Sequence, residues 1–164
     1  MKSLIKVTYF ACMAVVLFSC STDTVEDELS PVASEFVVPD VKSIEIEILE
    51  RINVYRASKG LDALNTLDIV KSQAYSHTDY MIKNNKISHD YFHTRRSYLI
   101  SNAGANSVAE NVGYGYSSAK SVVNAWIKSD GHRETMEGDF TDFDISVEQN
   151  EDGVRYFTNI FIKR

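Results

Sequence analysis

The chain has 164 residues and a formal net charge of −6 at pH 7, from 17 Lys and Arg against 23 Asp and Glu. Binding to a phosphate backbone requires the opposite sign of charge, which argues against nucleic acid as a partner. Both cysteines, Cys12 and Cys20, lie near the N-terminus, so the rest of the chain can form neither a disulfide nor a cysteine metal site.

Residues 1–19 have the pattern of a signal peptide. Lys2 and Lys6 precede an apolar run from Val7 to Phe18 that is short for a bilayer span. The run ends in a Leu-Phe-Ser-Cys tetrad that resembles the bacterial lipobox, in which the cysteine becomes the first mature residue and carries lipid. We therefore predict lipidation at Cys20, with membrane attachment through that lipid. An ordinary cleaved signal peptide is the alternative.

Residues 20–40 read as an acidic tether between the lipidated Cys20 and a folded domain. This stretch has no Lys or Arg, six acidic residues and two prolines, so it buries little and repels itself. Loss of the two signal-peptide lysines takes the mature charge to about −8. We expect an extracytoplasmic protein at the outer membrane or cell surface, whose one domain spans residues 41–164.

Helical periodicity dominates the first half of this domain. Apolar residues at helical spacing predict one helix over Val41–Lys59 and another over about Leu67–Lys83, with Thr66 as its N-cap. A short helix is plausible at Thr94–Ile100, within an otherwise polar stretch. After a strand at Val108–Tyr114, a third amphipathic helix is expected from a Ser117 or Ser118 cap to a stop at Asp130-Gly131.

The last part of the chain predicts a β-hairpin. Residues alternate over Phe143–Gln149, turn residues follow at Asn150–Gly153, and Val154–Ile162 is rich in β-branched and aromatic residues. Helices first and strands last indicate an α+β fold with one antiparallel sheet.

Glu110 is the residue in the predicted strand that most needs an explanation. A buried carboxylate is costly unless it is paired, so Glu110 requires donors. It could be structural and bond backbone amides or Arg133. Alternatively, it could face His89 and His132 across a cleft.

Several motifs occur together in a characteristic order. Ile87-Ser88-His89 ends a loop, Ala109-Glu110-Asn111-Val112 follows, a Val-x-x-Trp helix runs into Ser129-Asp130-Gly131-His132-Arg133, and a hairpin closes the chain. In order and spacing these motifs resemble the CAP superfamily, or SCP domain, of cysteine-rich secretory proteins, antigen 5 and plant pathogenesis-related proteins. The resemblance spans about Ile44 to Ile162, and the spacing of Ala74, His77 and Met81 is similar to that of bacterial members.

The resemblance implies a three-layer α-β-α sandwich with a small central antiparallel sheet. It also implies a cavity lined by two histidines and two acidic residues. By motif, the histidines are His89 and His132, and the first acid is Glu110 with Asn111 beside it. Eukaryotic members carry the second acid three residues after the helix tryptophan, where this chain has Ser129. The family's disulfides and cysteine-rich extension are absent from this sequence.

Some members of the family hold zinc or another divalent metal between the two histidines. The resemblance therefore also implies a metal site at His89 and His132. Two imidazoles and a carboxylate suffice for an open zinc site, although no His-Glu-x-x-His helix supports one here. His89 and His93, four residues apart, could bind metal only if their loop were helical. No cofactor is required by the sequence.

Other residues have two interpretations each. Ser129 could be a nucleophile with His132 as its base and Glu110 as orienter, or a turn residue bonding the backbone. His77 lies on an apolar stripe, as a core or cavity-wall residue. Trp126 fits the core, and a platform for a ligand is the alternative. Aromatic residues near the motifs could cradle a ligand or cover the sheet edges; they are Tyr91, Phe92, Tyr114 and Tyr116.

Three functions are compatible with these features. The first is a cell-envelope lipoprotein whose domain is a binding module, with a His89, Glu110, His132 cleft for a small apolar ligand, glycan, peptide or divalent metal. The second is an envelope hydrolase of protease or peptidase type, with Glu110 and His132 as candidate catalytic groups. The third is a structural surface protein whose cleft has no function.

Overall fold

The computed structural model describes residues 36–164. The predicted signal peptide, Cys20 and most of the predicted tether therefore lie outside the described residues. In the described part of the chain, five helices and four strands follow in order: α1 Ser43–Ser58, β1 Asn65–Thr66, α2 Asp68–Lys83, α3 Phe92–Ala103, β2 Ser107–Tyr114, α4 Ala119–Lys128, α5 Asp130–Glu137, β3 Asp142–Gln149 and β4 Arg155–Lys163. No helix within 36–164 is long and apolar enough to cross a bilayer.

The four strands form one sheet in the order β1-β3-β4-β2. The hairpin β3–β4 and the pair β2–β4 are antiparallel, as predicted. The sequence did not indicate the two-residue strand β1, which pairs parallel with β3. Thr66 belongs to that strand, so it is not the predicted N-cap of α2; Leu67 occupies the cap position.

Alternating side chains of the sheet meet a helical layer on each face. On one face Phe143, Phe157 and Phe161 pack with residues of α1, α4 and α5. On the other face, Val108, Ile160 and Ile162 pack with residues of α2 and α3. The architecture is thus the α-β-α sandwich that the resemblance implied, because both faces of the sheet are covered.

The junction between α4 and α5 differs from the expectation. Ser118 caps α4 as predicted, and its hydroxyl accepts the Ser121 amide. Asp130 and Gly131, however, do not form a terminating turn, because they begin α5. Ser129 alone separates the two helices, and this places His132 in the first turn of α5. A helical first turn fixes the direction of the His132 side chain more firmly than a loop would.

Candidate functional site: a two-histidine cleft

A cleft of about 480 Å³ lies where β2 ends, between the loop before α3 and the α4–α5 junction. One part of its wall is polar and consists of Ser88, His89, Ser129 and His132. The other part is apolar or aromatic and consists of Ile87, Val112, Gly113, Tyr114, Tyr116, Ala125 and Trp126. The cleft is therefore amphipathic, as ligand pockets commonly are.

Glu110 is buried next to His89 and is not part of the cleft wall; its side chain is only 1% exposed. Arg95 holds the carboxylate with two bonds: Nε donates to Oε2 and an Nη2 hydrogen donates to Oε1, each at 2.8 Å. His89 Nδ1 donates to Oε1 at 2.8 Å. Burial alone would raise the pKa of Glu110, but the His89 hydrogen bond and the Arg95 charge outweigh it and lower the pKa. The carboxylate is therefore ionised and fully partnered.

Arg95 is a site residue that the sequence analysis missed. Arg133, the partner considered for Glu110, instead bonds Asp130 at 2.8 Å, so that assignment was wrong. A signal was present in the spacing, because Phe92, Arg95 and Leu99 lie at positions i, i+3 and i+7 of α3. An arginine on the apolar stripe of a short helix indicates a buried anion nearby.

His89 precedes α3 and has a side chain that is 53% exposed. Because Glu110 is an anion that only accepts, the uncharged form of the His89 ring has its hydrogen on Nδ1. Nε2 then carries a lone pair and is available to a ligand. His93 is on α3 and outside this arrangement, since helical geometry does not extend back to His89. The condition for a His89–His93 metal pair is thus not met.

His77 forms the buried wall behind this group. Its Nε2 donates to the Ser88 carbonyl at 2.7 Å, which helps to hold the loop that carries His89. The ring lies 3.8 Å from Glu110 Oε1, measured from Nε2. Nδ1 is buried and has no hydrogen-bond partner among the described residues. Burial lowers the pKa of His77 to about 4, so the ring is neutral at pH 7.

His132 faces the cleft from α5. Its Nδ1 lies 2.7 Å from the Ser129 hydroxyl, and its ring stacks on Trp126 with centroids 6.4 Å apart. Asn111 fixes the same turn, because its side-chain amide donates to the His132 carbonyl at 3.0 Å. Burial lowers the pKa of His132. The ring is therefore neutral at pH 7, and its Nε2 takes no part in these bonds.

Ser129 does not perform the turn role considered from the sequence. It occupies the N-cap position of α5, but its side chain makes no cap hydrogen bond there. The hydroxyl instead bonds the His132 ring. An N-cap serine that leaves its helix uncapped gives up a stabilising interaction of about 1 kcal/mol.

The aromatic residues divide between cleft and core. Tyr114 and Tyr116 line the cleft, and Tyr114 is 45% exposed. Phe92 instead packs against the core beneath α3, and Tyr91 contacts Tyr80 edge-on. Trp126 combines two roles, since it is buried and also forms cleft wall.

A metal at this site would have two protein ligands, the Nε2 atoms of His89 and His132. No group of three or more His, Cys, Asp or Glu side chains suited to a metal occurs within residues 36–164. Glu110 is a poor third ligand because Arg95 occupies both its oxygens. Glu110 and Ser129 instead orient the two imidazoles, as the outer partners of metal-binding histidines do.

Comparisons with known proteins agree with this architecture. Residues 49–161 match the model of the CAP family, the cysteine-rich secretory protein family. The fold is similar to an outer surface protein of Borrelia burgdorferi, with a TM-score of 0.69, 23% identity, and coverage of 79% of this chain and 99% of that one. It is also similar to an extracellular SCP-domain protein of Bacillus anthracis, with a TM-score of 0.64, 24% identity, and coverage of 73% and 40%.

A sequence relative is the uncharacterized membrane protein YlbC of Bacillus subtilis, which is 29% identical over 124 residues. These residues are 73% of this chain but 34% of that relative, so the chain spans about a third of its length.

The sandwich fold and the two-histidine cleft at the end of β2 are those of a domain of the SCP type. The match over residues 49–161 shows that the chain belongs to the CAP, or cysteine-rich secretory protein, family.

Proposed function

We propose that this protein is an extracytoplasmic binding module that holds its ligand between His89 and His132. The observation that carries the proposal is that both imidazoles are oriented through Nδ1, by Glu110 and by Ser129. Each ring therefore keeps Nε2 for a ligand. Residues held in place by a second set of partners are typical of preorganised binding sites.

The lining indicates which ligands the cleft can take. His89 Nε2 offers a lone pair, while the wall formed by Ile87, Tyr114 and Trp126 offers apolar and aromatic surface. A divalent cation such as zinc, or an organic ligand with an apolar part and a polar group, would match these features. A bound zinc ion would supply a Lewis acid with positions open to water or ligand.

Metal binding is tested by titrating the purified chain with zinc and following heat or native mass. We expect one zinc per chain, and at least a tenfold loss of affinity in His89→Ala and in His132→Ala. His93→Ala is the matched control, because His93 is exposed and close in sequence but outside the cleft. Equal affinity in all four proteins would exclude a metal role for the cleft histidines. Native mass spectrometry of the same sample would also reveal a retained organic ligand.

The proposed location is the cell envelope, with a lipid on Cys20 as anchor. The sequence pattern of residues 1–20 supports this location. Names of similar proteins also support it, since they include an outer surface protein, an extracellular protein and a membrane protein. Cys20→Ala should move the protein from the membrane fraction to the soluble fraction. Continued membrane attachment of that variant would contradict the anchor.

A second candidate function, an envelope hydrolase, is favoured by the 2.7 Å contact between Ser129 and His132. In that reaction Ser129 Oγ attacks a carbonyl carbon while its proton passes to His132 Nδ1. The imidazolium then returns the proton to the leaving group, and water later releases the acyl group from Ser129. Unlike the binding function, this reaction uses Nδ1 of His132 rather than Nε2.

The hydrolase is tested with casein, peptidoglycan fragments and a fluorophosphonate probe. We expect turnover and labelling that Ser129→Ala abolishes, with His93→Ala as the unaffected control. Turnover that persists in Ser129→Ala, or its absence in the wild type, would exclude this reaction.

A further inference from the structure

The outer edge of β2 carries backbone groups that face away from the sheet. In the register of β2 with β4, the Gly115 amide donates to the Arg155 carbonyl at 2.9 Å. Hydrogen bonding alternates along an antiparallel pair, so Asn111 and Gly113 also direct their backbone groups at β4. Val112 and Tyr114 then direct their N–H and C=O groups outward. Trp126 confirms this direction, since its ring N–H donates to the Val112 carbonyl at 3.0 Å.

On β3, the strand next to the opposite edge of the sheet, buried charged side chains occupy the outward groups. The Val147 amide donates to Glu45 Oε1 at 2.8 Å, and the Ile145 carbonyl accepts from Lys71 Nζ at 2.6 Å. Asp144 accepts the Ile145 amide at 2.8 Å. Filling an edge with charged groups prevents another strand from pairing there.

The β2 edge is protected far less. Within residues 36–164, the Trp126 ring is the one group that bonds the Val112–Tyr114 edge from outside the sheet. Backbone N–H groups without a protein partner must be reached by water or by a ligand. The cleft supplies that access, because Val112, Gly113 and Tyr114 are all part of its wall.

We propose that the cleft binds an extended peptide, which adds a strand to the free edge of β2 at Val112–Tyr114. This inference rests on the proposed binding function and names its ligand class. The Val112 N–H and the N–H and C=O of Tyr114 recur at a two-residue spacing, which the backbone of an extended peptide matches. A glycan lacks the alternating amide N–H and C=O groups of an extended peptide backbone.

Side chains around the edge would then provide selectivity. Successive residues of an added strand point to opposite faces of the sheet. Those on one side would meet the loop with Ile87 and His89, and those on the other would meet Trp126 and His132. His89 Nε2 can accept a hydrogen bond from a donor on the peptide. The peptide should therefore combine apolar residues with a hydrogen-bond donor.

The test begins with a displayed library of random linear decapeptides selected against the purified full chain. In the free protein, the backbone amides of Val112 and Tyr114 should exchange their hydrogens faster than those of Asn111 and Gly113. Selected peptides should protect the Val112 and Tyr114 amides from this exchange. N-methylation of peptide amides that face β2 should weaken binding about tenfold each, the loss expected for one hydrogen bond. N-methylation at the intervening positions should change affinity little.

Val112→Pro and Val112→Ala form a matched pair. Proline removes the outward N–H without removing a ladder bond, as is tolerated on edge strands, whereas alanine keeps the N–H and loses a similar amount of packing. We expect Val112→Pro to lose at least tenfold in peptide affinity relative to Val112→Ala, with both variants folded by circular dichroism.

Zinc titration of the unmodified full chain separates this inference from the function on which it rests. Retained zinc binding alongside failed peptide selection would overturn the peptide proposal while leaving the cleft as a metal site. Equal peptide affinity in Val112→Pro and Val112→Ala, or insensitivity to N-methylation, would also overturn it. The selection could also yield only peptides whose affinity is unchanged by His89→Ala and which leave the Val112 amide unprotected from exchange. Peptide binding would then lie outside the cleft, which would contradict the proposal.

Discussion

Arg95 donates a hydrogen bond to each carboxylate oxygen of Glu110 at 2.8 Å, and neither side chain is more than 1% exposed. Arg95 also donates to the Asp90 carbonyl at 2.7 Å, in the loop that carries His89. The pair thus connects α3 and β2 to the loop that forms one wall of the cleft. Burial of both charges is costly, and the two-bond geometry offsets much of that cost.

Arg95→Met should destabilise the protein by about 3–5 kcal/mol, because it leaves the Glu110 carboxylate buried without its cation. Urea unfolding measures this loss. The double variant Arg95→Met with Glu110→Leu should recover most of the stability, since no buried charge then remains. It should nevertheless bind zinc more weakly than the wild type, because His89 loses the acceptor that orients its ring. A double variant as unstable as Arg95→Met alone would contradict the role assigned to the ion pair.

His77 should make the protein sensitive to acid. Its pKa is about 4 in the folded state against 6.5 in the reference state, so the unfolded chain binds the proton more readily. The stability due to neutral His77 is complete above pH 6.5 and is lost as pH falls towards 4. The loss should approach about 3 kcal/mol.

His77→Gln tests this dependence, because a glutamine amide can still donate to the Ser88 carbonyl. Urea unfolding between pH 7 and pH 4 should show a flatter decline for the variant than for the wild type. His93→Gln, at an exposed position, is the control and should follow the wild-type curve. Parallel curves for His77→Gln and the wild type would show that His77 is not the acid-sensitive group.

The sequence predicts the framework better than the site. Apolar stripes, the Ser118 cap and the Asn150–Gly153 turn are local features, so the main helices and the hairpin follow from them. β1 has only two residues and leaves no periodic pattern. The helical spacing of Phe92, Arg95 and Leu99 marks Arg95 as buried, but its partner Glu110 becomes apparent only once α3 is packed against β2. The sequence motif likewise indicates Ser129 as a site residue. That its hydroxyl bonds the His132 ring instead of capping α5 follows only from the geometry of the α4–α5 junction.

Gly113 allows β2 to lie close to α4. A β-carbon at this position would come within 3.2 Å of a Val122 methyl group and 3.4 Å of the Phe157 β-carbon. Gly113→Ala should therefore force the sheet and helix apart and destabilise the protein by about 1–3 kcal/mol. Thermal unfolding checks this value.

Gly131→Ala is the matched control, since a β-carbon there would meet no atom within 4 Å. Gly131 lies in α5, so alanine should stabilise that helix by up to about 1 kcal/mol. A Gly113→Ala variant that is as stable as Gly131→Ala would disprove the close approach of β2 to α4.

Ser129 occupies the position where the motif in eukaryotic relatives has an acidic residue, and this difference should control the titration of His132. In this chain the pKa of His132 lies below its usual value because the ring is partly buried, and the neutral Ser129 hydroxyl does not oppose that shift. Ser129→Glu would place a carboxylate near the ring and favour the imidazolium. We expect the pKa of His132, followed by proton NMR of its ring, to rise by about 1 unit or more. Ser129→Gln introduces a side chain of nearly the same size as glutamate but without its charge, and should leave the pKa of His132 low. If both variants raise the pKa of His132 equally, the change comes from altered burial of the ring. The absence of a negative charge at position 129 is then not what keeps His132 neutral and available to a ligand.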